Sequence, residues 1–82
     1  MNNADLQLNE IYYLVSDITN AGVLVRLLDH HVGFAGVPRV YDTMTLWLNN
    51  YSVGWSLWFA EDIIRKATEE EKKLFLMKAH LK

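Results

Sequence analysis

The chain has no cysteine, a single proline and four glycines. Without cysteine there is no thiol nucleophile, no thiolate metal ligand and no disulfide scaffold, so packing alone must hold the core. A long hydrophobic run is also missing. The longest uncharged stretch, residues 43–60, is broken by Asn49, Asn50, Gly54 and several hydroxyl side chains, so no membrane-spanning helix is expected. The first twenty residues lack a basic segment followed by an apolar run, so no secretory signal is expected, and the default expectation is a soluble, cytoplasmic protein. Basic residues are scarce over most of the chain. Residues 1–64 hold Arg26 and Arg39 against Asp5, Glu10, Asp17, Asp29, Asp42, Glu61 and Asp62, whereas residues 65–82 hold six basic side chains against three glutamates. Side-chain counting gives a body near −5 and a tail near +3. Duplex affinity comes mostly from lysine and arginine displacing counterions, so the body is not expected to bind nucleic acid.

What is present suffices for one core. Eighty-two residues, half of them hydrophobic, form a single domain over residues 1–82 and leave no room for a second. The most informative segment is a pair of alternating stretches around Asn49-Asn50. Met44, Leu46 and Leu48 alternate with Thr43, Thr45 and Trp47; Tyr51, Val53, Trp55 and Leu57 alternate with Ser52, Gly54 and Ser56. A two-residue turn would pair Leu48 with Tyr51, Leu46 with Val53 and Met44 with Trp55. Those six share one face, while Thr45/Gly54 and Thr43/Ser56 share the other. This predicts a β-hairpin whose larger apolar face is the core, with Tyr51 and Trp55 inside.

Residues 1–9 are polar and expected to be a flexible N-terminus, followed by a β-rich body over 10–67. Ile11, Tyr12, Tyr13, Leu14 and Val15 favour a strand, although Leu8, Ile11, Val15 and Ile18 would also line a helix. Thr19-Asn20-Ala21-Gly22 is a turn by composition, and residues 23–28 form the return arm. Residues 30–38 hold two glycines and the proline and are expected to be a long loop. Glu61-Asp62 predicts a short turn before a last strand over 63–67. Thr68 and Glu71 fit a capping box, Glu69 and Lys73 are a favourable pair, and Lys78 and Lys82 suit the helix end. These predict a helix over 69–81 that docks through Leu74, Met77 and Leu81.

Leu-Val-Arg-Leu-Leu-Asp (24–29), a Gly/Pro loop, Met-Thr-Leu-Trp-Leu (44–48) and Leu-Trp-Phe-Ala-Glu-Asp-Ile (57–63) occur in that order. Together they resemble small SH3-like barrels, in which a strand ending in an aromatic pair meets a 3₁₀ turn and a last strand. Ile-Arg-Lys-Ala-Thr-Glu-Glu-Glu (64–71) resembles the tail of short phage and mobile-element proteins of that shape. The resemblance covers residues 10–71 and implies a fold without a functional signature. The expected class is α+β, mainly β: an SH3-like antiparallel barrel or sheet of four or five strands with a C-terminal helix, the alternative being an all-α bundle.

Candidate chemistry is sparse. Asp29-His30-His31 has metal-ligand residue types, but neighbours on a strand point to opposite faces and no helpful third ligand is spaced nearby; a solvated loop is expected and no metal. Glu61-Asp62 lacks an acidic group placed opposite for acid/base work. Ser16, Ser52 and Ser56 lack a nucleophile-elbow setting. Gly33-Phe34-Ala35-Gly36 matches a G-x-x-G clamp only in letters, since that loop needs flanking helices and basic neighbours. No phosphate-binding loop is present, so neither an enzyme nor a cofactor is expected.

The aromatics are the candidates for contact. Trp47 faces away from the larger apolar face among small polar neighbours, Trp58 and Phe59 cannot both face inward, and Phe75 lies off the helix stripe. Trp47, Trp58, Phe75, Glu61 and Asp62 are therefore the candidate protein-binding residues. The expected function is a non-catalytic protein-binding module, a phage or mobile-element accessory protein that binds and inhibits or redirects a host protein. Two alternatives stay open. One is a nucleic-acid-binding barrel using Arg65, Lys66, Lys72, Lys73, Lys78 and Lys82; the other is a self-associating subunit held by a sheet edge or Phe75.

Overall fold

The computed structural model describes residues 6–31 and 40–79. Strands β1 (Ile11–Val15), β2 (Gly22–His31), β3 (Val40–Trp47) and β4 (Ser52–Phe59) are followed by a 3₁₀ turn (Ala60–Asp62), β5 (Ile63–Lys66) and helix α1 (Glu69–Ala79). All five strands belong to one antiparallel sheet in the order β4-β3-β2-β1-β5. The chain is thus mainly β with one C-terminal helix, which overturns the all-α alternative. Residues 10–17 resolve in favour of the strand, because adjacent branched and aromatic side chains suit a pleated surface covered on both sides.

The central hairpin has the expected register, with Met44 opposite Trp55, Thr45 opposite Gly54 and Leu46 opposite Val53. The turn differs: Trp47 pairs with Ser52, leaving four residues in the loop, and Tyr51 N–H donates to Trp47 C=O at 2.7 Å. Tyr51 takes a left-handed φ of 57°, and Ser52 N–H donates to Asn50 Oδ1 at 2.9 Å. Two-residue turns favour glycine at a positive φ; Asn49-Asn50 lacks it, and the longer loop keeps the same parity.

The more consequential correction concerns which face is inside. Tyr12, Leu14, Val23, Val25, Leu27, Tyr41, Ala60 and Ile63 form the inner cluster, with Trp47 and Trp58 packed against it. Thr43 and Thr45 lie on that face and are fully buried. Their hydroxyls are consumed in a chain. Trp58 Nε1–H donates to Thr45 Oγ1 at 2.9 Å, the two threonine oxygens are 2.7 Å apart, and Thr43 Oγ1–H donates to Ser56 C=O at 3.1 Å. Small side chains suit the concave side of a curled sheet, and paired hydroxyls avoid the cost of buried unsatisfied groups. Trp55 and Tyr51, expected in the core, are 70% and 52% exposed. They sit on the convex face, of which α1 covers only part.

Helix α1 covers Ile11, Leu24, Leu46 and Ala67 with the buried Phe75, while Leu74 and Ala79 pack at its margin. The expected stripe is rotated: Met77 is 62% exposed, and Leu81 lies outside the described residues, as do His80 and Lys82. Phe75 carries the largest apolar surface on the helix, so its burial decides the rotation. The helix start is fixed as its capping box requires. Thr68 N–H donates to Glu71 Oε1 at 2.8 Å and Glu71 N–H to Thr68 Oγ1 at 3.2 Å. Arg65 grips both Glu71 oxygens, at 2.7 and 3.1 Å, and lies 4.3 Å from the Tyr13 ring centre.

That grip has an acid signature. The Arg65 guanidinium and then the Thr68 N–H hold the Glu71 carboxyl at about 2, below its usual 4.5. The favoured form is the charged one, so its contribution is complete above 4.5 and disappears as pH falls towards 2. Screened by solvent, it amounts to about 1 kcal/mol. Thermal unfolding of Glu71→Gln should therefore match the native chain near pH 2 and fall below it from pH 5 upward.

Residues 6–9 are better anchored than a flexible terminus. Leu6 packs on the inner cluster, Gln7 N–H donates to Tyr12 Oη at 2.9 Å, and Asn9 N–H donates to Leu27 C=O at 2.6 Å. Residues 1–5 lie outside the described residues, as does most of the expected Gly/Pro loop, including Gly33-Phe34-Ala35-Gly36. His30 and His31, expected to belong to a loop, extend β2.

Candidate functional site

The sheet curls so that the end of β4 and the 3₁₀ turn meet the β1–β2 turn. At that seam lies an open cleft of roughly 390 Å³, lined by Ser16, Asp17, Ile18, Leu57, Trp58, Phe59, Glu61 and Asp62. Local hydrogen bonds build its first wall. Ser16 N–H donates to Ala21 C=O at 2.9 Å and Asn20 N–H to Ser16 C=O at 2.8 Å, with Asn20 at a left-handed φ of 53° and Thr19 N–H turned to Ser16 Oγ. A turn closed in this way leaves Asp17 and Ile18 at its tip, where Ile18 is 96% exposed. The second wall comes from the chain leaving β4. Trp58 is held by its indole N–H on Thr45, and the buried Ala60 pins the 3₁₀ turn, which leaves Glu61 exposed and Asp62 half-buried.

Three carboxyls therefore share a cleft with the apolar side chains of Ile18, Leu57, Trp58 and Phe59. Desolvation raises the Asp62 carboxyl above its ordinary value, and the negative charges of Asp17 and Glu61 raise it further. Such a site gains from a cation that neutralises the carboxyls while its carbon stem covers Ile18 and Trp58.

The expected contact residues separate into two groups. Glu61, Asp62 and Trp58 come together in this cleft, joined by Asp17 and Ile18, which residue patterning passed over. The available signal was a branched apolar residue inside the polar turn Ser16-Asp17-Ile18-Thr19-Asn20. Trp47 and Phe75 lie elsewhere. Trp47 is half-buried against the inner cluster, its ring 3.4 Å from the position a Gly54 Cβ would take, and Phe75 is 1% exposed.

A second surface adjoins the cleft. On the convex side of β4, Trp55, Leu57 and Phe59 are 70%, 60% and 43% exposed, and β4 is the last strand of the sheet. Across the molecule the tail's cations are partly engaged: Arg65 with Glu71 and Tyr13, and Lys72 3.8 Å from Glu10 and 3.7 Å from Glu69. Among the described residues no group of three or more His, Asp or Glu side chains is placed to hold a metal ion, and no helix is long and apolar enough to cross a membrane. In comparisons with protein-family models, curated proteins and solved structures, nothing matches the chain.

Proposed function

We propose that this chain is a non-catalytic protein-binding module on an SH3-like barrel, a phage or mobile-element accessory protein of the cytoplasm. Its partner is a host protein, which it inhibits or redirects. The barrel reading is supported by the strand order β4-β3-β2-β1-β5 and by the 3₁₀ turn joining β4 to β5. The binding reading rests on one observation: three carboxylates line one cleft beside Ile18, Trp58 and Phe59, where desolvation first and then the charges of Asp17 and Glu61 raise Asp62. The matching partner surface presents a lysine or arginine flanked by apolar contacts. A host protein that uses such a basic surface for its own work would be blocked by occupation of it.

Double substitution of Asp17 and Asp62 by asparagine tests this. The charged form of Asp62 is disfavoured in the fold, so its effect on stability is best below the ordinary carboxylate value and worsens as pH rises through the raised one. Removing the charges should thus stabilise the fold by a few tenths of a kcal/mol at neutral pH, after solvent screening. Capture of a host protein from nuclease-treated lysate should fall about tenfold, equivalent to about 1.4 kcal/mol. Undiminished capture by the double variant would remove the cleft from the reading. Ile18→Ser should weaken capture without altering the melting temperature.

A further inference from the structure

We propose that β4 is a self-pairing edge, at which two copies of this chain join antiparallel about a two-fold axis through Trp55. The proposal goes beyond the cleft and rests on different observations. Leu48 N–H donates to Gly22 C=O, so by strand alternation the even-numbered residues of β3 turn their main-chain groups towards β2 and the odd-numbered ones towards β4. With Thr45 opposite Gly54 and Thr43 opposite Ser56, the main-chain groups of Val53, Trp55 and Leu57 point outward from the sheet. No strand lies beyond β4 among the described residues. Exposed edges are ordinarily guarded by charge, proline or brevity. β4 is eight residues long and has neither charge nor proline.

The occupant follows from symmetry and charge. Val53-Gly54-Trp55-Ser56-Leu57 reads apolar, small, Trp, small, apolar from either end. Antiparallel pairing centred on Trp55 sets Val53 opposite Leu57 of the other copy, matching apolar with apolar on the convex face. The ends of the strand are opposite in sign. Lys78 lies 5.0 Å from the Tyr51 ring centre, while Glu61 follows the Phe59 end. Antiparallel pairing places the Glu61 end of each copy beside the Lys78 end of the other, whereas parallel pairing would oppose like charges. The other edge is a poor partner: β5 has four residues, carries Arg65 and Lys66, and pairs with a register shift.

The absence of cysteine makes the register testable. Trp55→Cys should form a disulfide-linked dimer under mild oxidation, since hydrogen-bonded antiparallel partners have Cα atoms about 5.5 Å apart, within disulfide range. Val53→Cys alone should not, being four residues out of register with itself, roughly 13 Å, whereas Val53→Cys with Leu57→Cys should. Sedimentation of the unmodified chain should show a concentration-dependent dimer, shifted to monomer by Leu57→Lys. Glu61→Lys should weaken the dimer several-fold and Lys78→Glu in the same chain should restore it. Asp17→Asn with Asp62→Asn should leave it intact, so failure of the cleft and failure of the edge are separable. A monomer at every concentration to about 1 mM, or cross-linking of position 53 alone as readily as of position 55, would overturn the proposal.

Discussion

Phe75→Ala is expected to release α1 from the sheet and lower the unfolding free energy by about 3–5 kcal/mol. The helix has eleven residues and opens with Glu69-Glu70-Glu71-Lys72-Lys73, too short and too charged to be stable alone. Its capping box and the Arg65 clip hold only the first turn. Beyond that turn, one ring, 1% exposed between Ile11, Leu24 and Leu46, carries most of the docking, with Leu74 and Ala79 packed at its margin. A domain of this size has roughly 5–15 kcal/mol to lose. Urea unfolding should therefore show a lower midpoint, with amide exchange rising first along residues 69–79. Met77→Ala, at a position 62% exposed, should change stability by no more than about 0.5 kcal/mol. Equal effects at the two positions would show that the helix docks through the other face.

Tyr12→Ala should cost a similar amount, about 3–5 kcal/mol, at the centre of the inner cluster. Tyr12 is wholly buried in β1, set opposite Val25 on one side and Lys66 on the other. Its ring fills the space enclosed by the curl, and its hydroxyl accepts from Gln7 N–H. Tyr12→Phe keeps the ring and loses that bond, for about 1 kcal/mol. Trp55 is the informative contrast. It is larger than Tyr12 but mostly exposed, so Trp55→Ala should leave the fold of the monomer within about 0.5 kcal/mol of native. Equilibrium unfolding of the three variants at low protein concentration separates ring burial from ring size.

That contrast also locates what residue patterning could and could not reveal. Alternation on either side of Asn49-Asn50 was enough for the hairpin and its register, because a shift by one residue would exchange both faces at once. Thr68 with Glu71 announced the helix start, and Glu61-Asp62 the 3₁₀ turn. Alternation says which residues share a face; it does not say which face is concave. The inside of the bend already holds the rings of Tyr12, Tyr41, Trp47 and Trp58, which leaves room beside them for small side chains only. Thr43, Thr45, Gly54 and Ser56 fit there, and the hydroxyl chain from Trp58 to Ser56 makes them acceptable in the interior. Larger side chains such as Leu46 and Trp55 fall on the convex side, where α1 shelters the first and leaves the second exposed. The acidic cleft was half legible. Glu61 and Asp62 are adjacent in the chain, but Asp17 reaches them only through the curl that brings the two ends of the sheet together.

The strand order has a kinetic meaning as well. Each of β1 to β3 pairs with its successor in the chain, so the four-stranded meander grows from neighbouring segments. β5 must return to β1 across the whole of it, with Leu14 meeting Ile63 and Tyr13 meeting Arg65. Closing that long loop costs entropy before any contact offsets it, which makes β1–β5 pairing the late event in folding. The same step brings in α1, whose first turn is clipped to β5 through Arg65, and draws the 3₁₀ turn towards Asp17. A chain halted before it would hold a meander without an assembled cleft, so assembly of the acidic cleft should coincide with the slowest folding phase.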